Sequence, residues 1–396
     1  MIPWLMWGLA GVTGLPLVIF VVEVGAGLKR LPARSIGQRD GPAAEVSVVI
    51  LIPAHNEELG IAGTVAQIAS GAPGGAKILV VADNCTDGTA GAARRSGAEV
   101  IERQNPAEHG KGYALSFGRD HLRAAPPDVV IVVDADCRLA PNTIERLAAV
   151  THGTQQPAQC INLLQPDVSA SPLVQLSSFA MLIKNLVRSR GVYRLGGTTL
   201  LTGTGMAFPW PIFRDAALAS GNVVEDLELG VTLTRQGRRV SLVSEGKVSS
   251  ASAHVDDLLE QRRRWEIGFL HTARRWALPT LGHGLKTGSR AAIALGLHML
   301  VPPLATLVLL GFVILALLTG GAAMGQPTGP AAAVGGLLAL ASVLTLLAWA
   351  REGRSTVQAK SLMMIPGYIL WKLPMYLGGI LGRQQQWVRT RRRPKA

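Results

Sequence analysis

The chain of 396 residues has little charge: 16% of its residues are charged, against about a quarter in soluble domains, while 48% are hydrophobic. Acidic residues are the scarcer kind, 26 against 39 Lys and Arg, which gives a net charge of +13. Such an apolar composition excludes a disordered or collagen-like chain. Nucleic-acid-binding proteins are seldom so hydrophobic, so no nucleic-acid partner is expected. The combination is typical of an integral membrane protein with a basic cytoplasmic surface.

Cysteine is also scarce. The three cysteines are Cys85, Cys137 and Cys160, and no Cys-x-x-Cys pair occurs. The sequence therefore predicts neither a zinc site nor a disulfide framework, and it suits a reducing compartment.

The common nucleotide-binding loops are missing as well. His109-Gly110-Lys111-Gly112 resembles part of a P-loop but lacks the following Ser or Thr, and no convincing G-x-G-x-x-G opens a helix after a strand. These absences argue against a P-loop motor and against a nicotinamide-dependent dehydrogenase.

Two long stretches carry no charged side chain. The first, residues 1–22, leads into Glu23 and predicts an N-terminal transmembrane helix over 1–28, since about 20 apolar residues span a bilayer. A cleaved signal peptide is the alternative, but the basic segment that would precede it is missing. The second, Ala291–Ala350, has 60 residues and predicts a transmembrane hairpin over 290–350, with spans near 292–318 and 331–350. Pro302 and Pro303 are expected to kink its first span.

Basic residues set the expected orientation. Those that follow the first span are Lys29, Arg30, Arg34 and Arg39. That side is therefore expected to be cytoplasmic, with the N-terminus outside the cell membrane and the middle of the chain inside. Residues 351–396 then form an interfacial helix and a basic cytoplasmic tail. The alternative, that 362–381 spans the bilayer, would export that tail.

The middle region, 40–280, has the pattern of a soluble α/β domain. Apolar runs at Val46–Ile52, Lys77–Ala82 and Val129–Val133 are typical of buried parallel strands. Helix-compatible stretches at Glu57–Ala69, Thr89–Ser96 and Tyr113–Arg123 alternate with them. This alternation predicts a mostly parallel sheet flanked by helices.

Polar clusters follow each predicted strand. They are Pro53-Ala54-His55-Asn56-Glu57-Glu58, Asp83 through Thr89, and Asp134-Ala135-Asp136. Asp87 and Thr89 also suit a turn and a helix cap. Ligands of parallel sheets bind beyond the carboxyl ends of the strands, so these clusters are expected to meet at one edge. Carboxylates gathered there would repel each other without a cation, and they suit Mg²⁺ or Mn²⁺.

Three further motifs lie after the acidic clusters in the sequence. They are Thr202-Gly203-Thr204-Gly205, Val224-Glu225-Asp226 and Gln261-Arg262-Arg263-Arg264-Trp265, the last a full Q-x-x-R-W. Together with the acidic clusters, they make residues 45–275 resemble a family 2 glycosyltransferase with a GT-A fold. The resemblance is to the membrane-embedded branch that includes poly-N-acetylglucosamine, chitin, hyaluronan and cellulose synthases.

The resemblance implies a donor site. Asp83 corresponds to the acid on the uracil and ribose side of a nucleotide, in a pocket lined by Pro53, Ala54, Asn56 and Glu57. Lys111 corresponds to a basic donor-pocket residue, although a solvated loop lysine fits the sequence equally. Asp134 and Asp136 correspond to the D-x-D pair that positions a metal bound to the diphosphate.

The resemblance also implies an acceptor side. Asp226 corresponds to the general base beside Glu225, although Val224 replaces the usual Thr of that motif. Gly203, Thr204 and Gly205 would allow the acceptor to approach the backbone. Gln261, Arg264 and Trp265 correspond to the motif that frames the acceptor sugar and the diphosphate, although Trp is also a common membrane anchor.

These residues predict a membrane-bound inverting glycosyltransferase, hexosyl or N-acetylhexosaminyl. It would transfer a sugar from a nucleotide-diphosphate sugar, expected to be a UDP-sugar, to a growing polysaccharide or other glycan. A single addition to a lipid or polyprenyl phosphate is the alternative, because three spans are few for a polymer channel. A transporter or scaffold that only binds nucleotide is a further alternative, but the apolar block contains no ionisable residue except His298. The lipid bilayer of the plasma membrane is an expected partner, and export partners are compatible with a polysaccharide product.

Overall fold

The computed structural model describes residues 3–32, 46–220, 224–251 and 255–374. The chain forms two compact units. The sheet unit contains Leu31–Gln165 and Gly197–Ser252, and the helical unit contains the described parts of Met1–Arg30, Pro166–Gly196 and Ala253–Arg383. The stretch Pro166–Gly196 lies inside the predicted 40–280 domain and belongs to the helical unit.

One eight-stranded sheet forms the centre of the sheet unit. Its strands are β1 Val48–Ala54, β2 Lys77–Asp83, β3 Glu99–Arg103, β4 Val129–Val132, β5 Cys137–Leu139, β6 Ala158–Leu164, β7 Met206–Pro209 and β8 Ser241–Ser250. Their spatial order is β3-β2-β1-β4-β7-β6-β8-β5. The first four strands in this order are parallel to each other, while β7 is antiparallel to both of its neighbours.

Fifteen α-helices fall within the described residues. They are α1 Pro3–Gly27, α2 Ile61–Gly71, α3 Thr89–Arg95, α4 Lys111–Leu122, α5 Thr143–Thr154, α6 Pro172–Leu182, α7 Ser189–Gly196, α8 Trp210–Asp215, α9 Glu225–Arg235, α10 Val255–Thr287, α11 Arg290–Met299, α12 Leu304–Ala323, α13 Gly329–Ala348, α14 Ala359–Leu362 and α15 Ile365–Trp371. Two π-helical turns, Ile183–Arg188 and Trp349–Gly353, follow α6 and α13.

The sheet has a hydrophobic core on each face. In β1, Ile50 and Ile52 face the core that contains α2, α3 and α5, while Val49 and Leu51 face the core that contains α4 and α8. Side chains alternate between the faces of a strand, so a strand buried on both sides needs an unbroken apolar run. The predicted α/β fold with a mostly parallel sheet flanked by helices is confirmed, and so are the three predicted strands.

One local prediction was wrong, and one strand was not predicted. The first predicted helix begins at Ile61 instead of Glu57, because the backbone N–H groups of Glu57 and Glu58 bond to side chains of the next loop. The strand β3 was not predicted, because it lies at the sheet edge and carries Glu99, Glu102 and Arg103 among five residues.

Three helices among the described residues are long and apolar enough to cross a membrane. They are Pro3–Gly27, Leu304–Ala323 and the combined helix Gly329–Gly353. The predicted kinked span over 292–318 was wrong: α11 ends at Met299, and a new helix begins at Leu304. Pro302 and Pro303 lack backbone N–H groups, so the helix cannot continue through them. Of the predicted 351–396 segment, the structure describes the short helices α14 and α15, and the basic tail lies outside the described residues.

The helical unit encloses a charged cluster. Glu23 of α1 accepts a hydrogen bond from Arg188 Nε at 2.7 Å, and its other carboxylate oxygen lies 3.0 Å from His298 Nδ1. All three side chains are at least nine-tenths buried. Gly27 and Gly191 allow this close approach, since a Cβ on either would overlap backbone atoms of the facing helix at 2.0 Å or less. The only acid of the first apolar segment is thus paired inside the helical unit.

Candidate functional site

The loops after β1 and β2 are bound to each other at the carboxyl edge of the sheet. Pro53 and Ala54 end β1 in register with β2. Asn56 adopts a left-handed conformation at φ 53°, and its side-chain oxygen accepts from Thr86 N at 2.7 Å. Glu57 N donates to Thr89 Oγ1 at 2.7 Å. The sheet unit therefore brings the predicted pocket residues of the first loop against the second loop.

Asp83 ends β2, and its buried carboxylate forms an ion pair with an arginine. Arg103 Nη1 donates to Asp83 Oδ1 at 2.7 Å, and both side chains are 9% exposed. The backbone oxygen of Asp83 also lies 2.7 Å from His55 Nδ1. The predicted nucleotide-binding acid is thus held by its side chain and by its backbone.

Lys111 begins α4 and lies among carboxylates. Its Nζ donates to Asp134 Oδ1 and, at 2.6 Å, to the backbone oxygen of Gly203. Burial lowers the pKa of Lys111, but Asp134 and Glu225 together outweigh it, and the pKa lies above its usual range. Lys111 is therefore a charged member of the site, and the alternative of a solvated loop lysine was wrong.

The Gly203–Gly205 turn closes the site from β7. Thr204 Oγ1 accepts from Asp134 N at 3.1 Å. A Cβ at Gly203 would lie 3.4 Å from Asp226 Oδ2 and 3.7 Å from Lys111 Nζ, so the base candidate and the lysine both border this glycine. Both glycines have positive φ, 84° and 65°, which favours glycine at these positions.

Asp134 and Asp136 form a candidate metal site with Cys137. One ligand atom of each residue lies within 4.8 Å of the others. Burial raises the pKa of the Cys137 thiol well above its usual range. A neutral thiol is a poor ligand for hard cations, whereas carboxylate oxygens suit Mg²⁺ and Mn²⁺. The two aspartates fit the predicted metal, and the cysteine does not.

Glu225 and Asp226 lie in the first turn of α9, where the helix dipole favours negative charge. Burial, followed by the charge of Asp226, raises the pKa of Glu225 to about 8, and Lys111 opposes the rise. Burial and the neighbouring charge of Asp226 thus both favour the protonated form of Glu225.

The sheet unit thus contains the predicted donor, metal and base residues. Gln261, Arg264 and Trp265 of the Q-x-x-R-W motif lie on α10 in the helical unit. Within that unit, the Arg262 guanidinium lies 5.1 Å from the Trp265 ring centre. The predicted role of Gln261, Arg264 and Trp265 in acceptor binding stays a prediction.

Sequence reasoning missed two residues that hold the site together. Arg103 binds Asp83, and it is placed by the parallel pairing of β2 with β3. Gln159, which is 2% exposed, donates from Nε2 to Thr204 O at 2.9 Å and accepts from Thr202 N at 2.9 Å. Neither belongs to a local motif, so only the register of the sheet could have indicated them.

Comparison with known proteins assigns the chain to a family. The pattern of the glycosyltransferase-like family 2 matches residues 43–268, more than half of the chain. The chain belongs to this family.

Similar proteins match different shares of this chain. An uncharacterized glycosyltransferase from Mycobacterium tuberculosis H37Rv is 35% identical over 103 residues, which are 26% of this chain and 43% of that protein. The chain thus spans less than half the length of the curated relatives it matches.

A solved structure shares the fold. A mannosyltransferase from Pyrobaculum calidifontis, in complex with GDP-mannose and Mn²⁺, is 16% identical with a TM-score of 0.53, and the match covers 87% of this chain and 99% of that one. Glucosyl-3-phosphoglycerate synthase from Mycobacterium tuberculosis, with Mn²⁺ and UDP, is 22% identical over 63% of this chain and 86% of that one, with a TM-score of 0.44. The predicted GT-A fold is confirmed.

Proposed function

We propose that the chain is a membrane-bound inverting glycosyltransferase that moves a hexosyl or N-acetylhexosaminyl group from a UDP-sugar to a growing polysaccharide or other glycan. The observation that carries this proposal is the gathering of Asp83, Lys111, Asp134 and Asp226 in the sheet unit, where Asp83 and Asp134 follow parallel strands of a mostly parallel sheet. Membership of the glycosyltransferase-like family 2 supports the reaction class.

The donor side begins at the nucleotide. Asp83 accepts hydrogen bonds from the uracil and ribose side, beside Pro53, Ala54, Asn56 and Glu57. Asp134 and Asp136 would hold Mg²⁺ or Mn²⁺, which when bound neutralises the diphosphate leaving group. Lys111 adds a positive charge beside Asp134, where negative charge develops on the diphosphate.

The acceptor side contains the base. Asp226 accepts the proton of the acceptor hydroxyl while the oxygen of that hydroxyl forms a bond to the anomeric carbon. The bond from that carbon to the diphosphate breaks, and the nucleoside diphosphate leaves with the electron pair. A single displacement of this kind inverts the anomeric centre. Gly203, which borders Asp226, leaves space for the acceptor, whereas Gly205 is packed against Cys160 and Thr204 is buried. Gln261, Arg264 and Trp265 also frame the acceptor in this proposal.

The membrane assignment rests on α1, α12 and the helix Gly329–Gly353. Each has the length and hydropathy of a span. With Lys29 and Arg30 directly after α1, the catalytic residues lie on the cytoplasmic side of the plasma membrane.

Release of nucleoside diphosphate tests the reaction. Full-length protein in native membranes is supplied with a panel of UDP- and GDP-sugars and Mn²⁺ or Mg²⁺, and released nucleoside diphosphate is measured. We expect release from a UDP-sugar that stops with EDTA and returns with excess Mn²⁺. No release from any sugar nucleotide would contradict the transferase, and EDTA-resistant release would contradict the metal role of Asp134 and Asp136.

Product size tests the acceptor. Separation of labelled products by chain length is expected to show a ladder of glycans. A product with one added sugar that partitions into organic solvent would instead support single addition to a lipid or polyprenyl phosphate.

A further inference from the structure

Arg103 is buried at the donor end of the sheet unit, 8% exposed, at the last position of β3. Parallel pairing places it directly beside Asp83. Its Nη1 donates to Asp83 Oδ1 at 2.7 Å and to the backbone oxygen of Glu108 at 3.1 Å, and its Nη2 donates to the Glu108 carboxylate. The guanidinium also lies 5.4 Å from the ring centre of Tyr113. Both ends of its planar fork are therefore committed.

The two oxygens of the Asp83 carboxylate differ as a result. Oδ1 is bound by Arg103 and lies 3.4 Å from Asn84 Nδ2. Among the described residues, Oδ2 has no hydrogen-bond partner. The oxygens of a carboxylate accept hydrogen bonds. Asp83 therefore presents one acceptor oxygen in a fixed direction.

The same arginine fixes the loop that leads to Lys111. Asn84, left-handed at φ 50°, donates from its backbone N to Arg103 O at 2.7 Å, and its side-chain oxygen accepts from Asn105 N at 2.7 Å. Asn105 Nδ2 in turn donates to Glu108 Oε2 at 3.0 Å. The loop from Arg103 to Lys111 is thus tied to Asp83 at one end and enters α4 at the other.

We propose that Arg103 is a positioning residue for nucleobase selection, which rests on the proposed function of Asp83 in donor binding. Arg103 occupies Asp83 Oδ1, so Oδ2 is the oxygen left to accept a hydrogen bond from the base. This arrangement favours bases whose pairing edge carries a ring N–H donor. Uracil and guanine carry such a donor, whereas cytosine and adenine carry an acceptor nitrogen at that position. Through its hydrogen bonds to Glu108, Arg103 also fixes the loop that leads to Lys111, at the proposed diphosphate end of the site.

A purely structural arginine would behave differently. Its removal would lower thermal stability and weaken the binding of all nucleotides by the same factor. Loss of a positioning residue lets the Asp83 carboxylate rotate, so the preference between bases changes as well. The ratio of affinities for UDP and CDP separates these two roles.

The test measures Kd values of UDP, GDP, CDP and ADP for the full-length protein with Mn²⁺ by titration calorimetry, and Tm for each variant. Wild-type protein is expected to prefer UDP or GDP to CDP and ADP. Arg103→Met is expected to weaken UDP binding by at least about tenfold, as for a lost hydrogen bond to a charged group, and to reduce the UDP-to-CDP preference. Arg103→Lys and Glu108→Gln are expected to cause smaller changes in the same direction.

Arg94→Met is the matched control, because Arg94 forms an exposed ion pair with Glu102 in the same region. It is expected to leave both Kd and selectivity unchanged. If the wild-type protein binds no nucleotide, the proposed function fails. If it binds UDP and a folded Arg103→Met variant keeps the wild-type UDP-to-CDP ratio, the role of Arg103 is overturned and the function stands. If Arg103→Met does not fold, an unchanged ratio in both Arg103→Lys and Glu108→Gln overturns it.

Discussion

At the scale of single residues, the site is organised around one lysine. Lys111 lies among Asp134, Glu225 and Asp226, and its pKa is raised by those carboxylates. Lys111 therefore offsets part of the negative charge of the acidic side chains that are needed for a metal and for a base.

Removal of the proposed base should act on the rate. We expect Asp226→Asn to lower kcat by about 10²–10⁴-fold, the usual contribution of a general base, with little change in the KM of the donor. Nucleoside diphosphate release under saturating donor and acceptor measures this. Asp120→Asn, at an exposed position of α4, is the control and should keep full activity. Wild-type kcat in Asp226→Asn would contradict the assignment of the base.

Removal of Lys111 should lower the stability of the protein, and the size of this loss should depend on whether a metal ion is bound. The loss of one partner of a fully buried ion pair costs about 3–5 kcal/mol. The cost here is smaller, because the Asp134 side chain is 35% exposed. We expect Lys111→Met to lower Tm in EDTA and Mn²⁺ to restore much of the loss, since a divalent cation replaces the missing charge.

The control for this experiment is the exposed Lys77→Met. It should show the same Mn²⁺-dependent rise in Tm as the wild-type protein. A rise in Lys111→Met no larger than in the control would mean that Lys111 and the metal do not neutralise the same carboxylates.

At the scale of elements, the turn between Thr202 and Gly205 depends on its glycines. A Cβ at Gly205 would lie 2.2 Å from Cys160 Sγ, which is far inside van der Waals contact. Gly205 also pairs with β4 and β6, because its N donates to Val132 O and its O accepts from Cys160 N, both at 2.9 Å. The turn therefore has no space to move away from a new side chain.

This predicts a steric effect that can be separated from backbone strain. Gly205→Ala is expected to destabilise the protein by about 1–3 kcal/mol through overpacking, in addition to the strain of a positive φ. Gly75→Ala is the matched control, since Gly75 has φ 83° with open space around it. A Tm loss for Gly205→Ala no greater than for Gly75→Ala would refute the close packing of this turn.

Elements with a strong local pattern were predictable from the sequence. The strands β1, β2 and β4 are unbroken apolar runs, and the topology of parallel sheets then places Asp83 and Asp134 at one edge. The strand β3 has polar residues because one of its edges is open, so it lacks that pattern. Arg103 was missed with it, since its partner is fixed by cross-strand register and not by local sequence. The break at Pro302 was also misjudged, because two consecutive prolines end a helix instead of kinking it.

At the scale of the whole molecule, charge is distributed by proposed membrane side. Residues 351–396 contain ten Lys or Arg and one Glu, whereas 291–350 contain no charged side chain. A basic tail of this kind suits anionic lipid headgroups at the cytoplasmic face. In the proposed topology, the net charge of +13 therefore reflects mainly the orientation of the chain in the membrane.

Reporter fusions test this orientation. Alkaline phosphatase, which is active only outside the cytoplasm, should be inactive when fused after Ala396 and active when inserted after Gln326, between α12 and α13. Green fluorescent protein at the same two sites should give the opposite pattern. Phosphatase activity after Ala396 would show that the chain crosses the membrane once more than proposed.

The buried cluster of Glu23, Arg188 and His298 also has a consequence for biosynthesis. Glu23 is separated from Arg188 by 165 residues and from His298 by 275. At about 5–20 residues per second, a ribosome needs about 14–55 s to make the stretch between Glu23 and His298. The first proposed span therefore enters the bilayer long before both partners of its carboxyl group exist. In the proposed topology, completion of the membrane anchor is therefore a late event, set by the arrival of α11 and not by the insertion of α1.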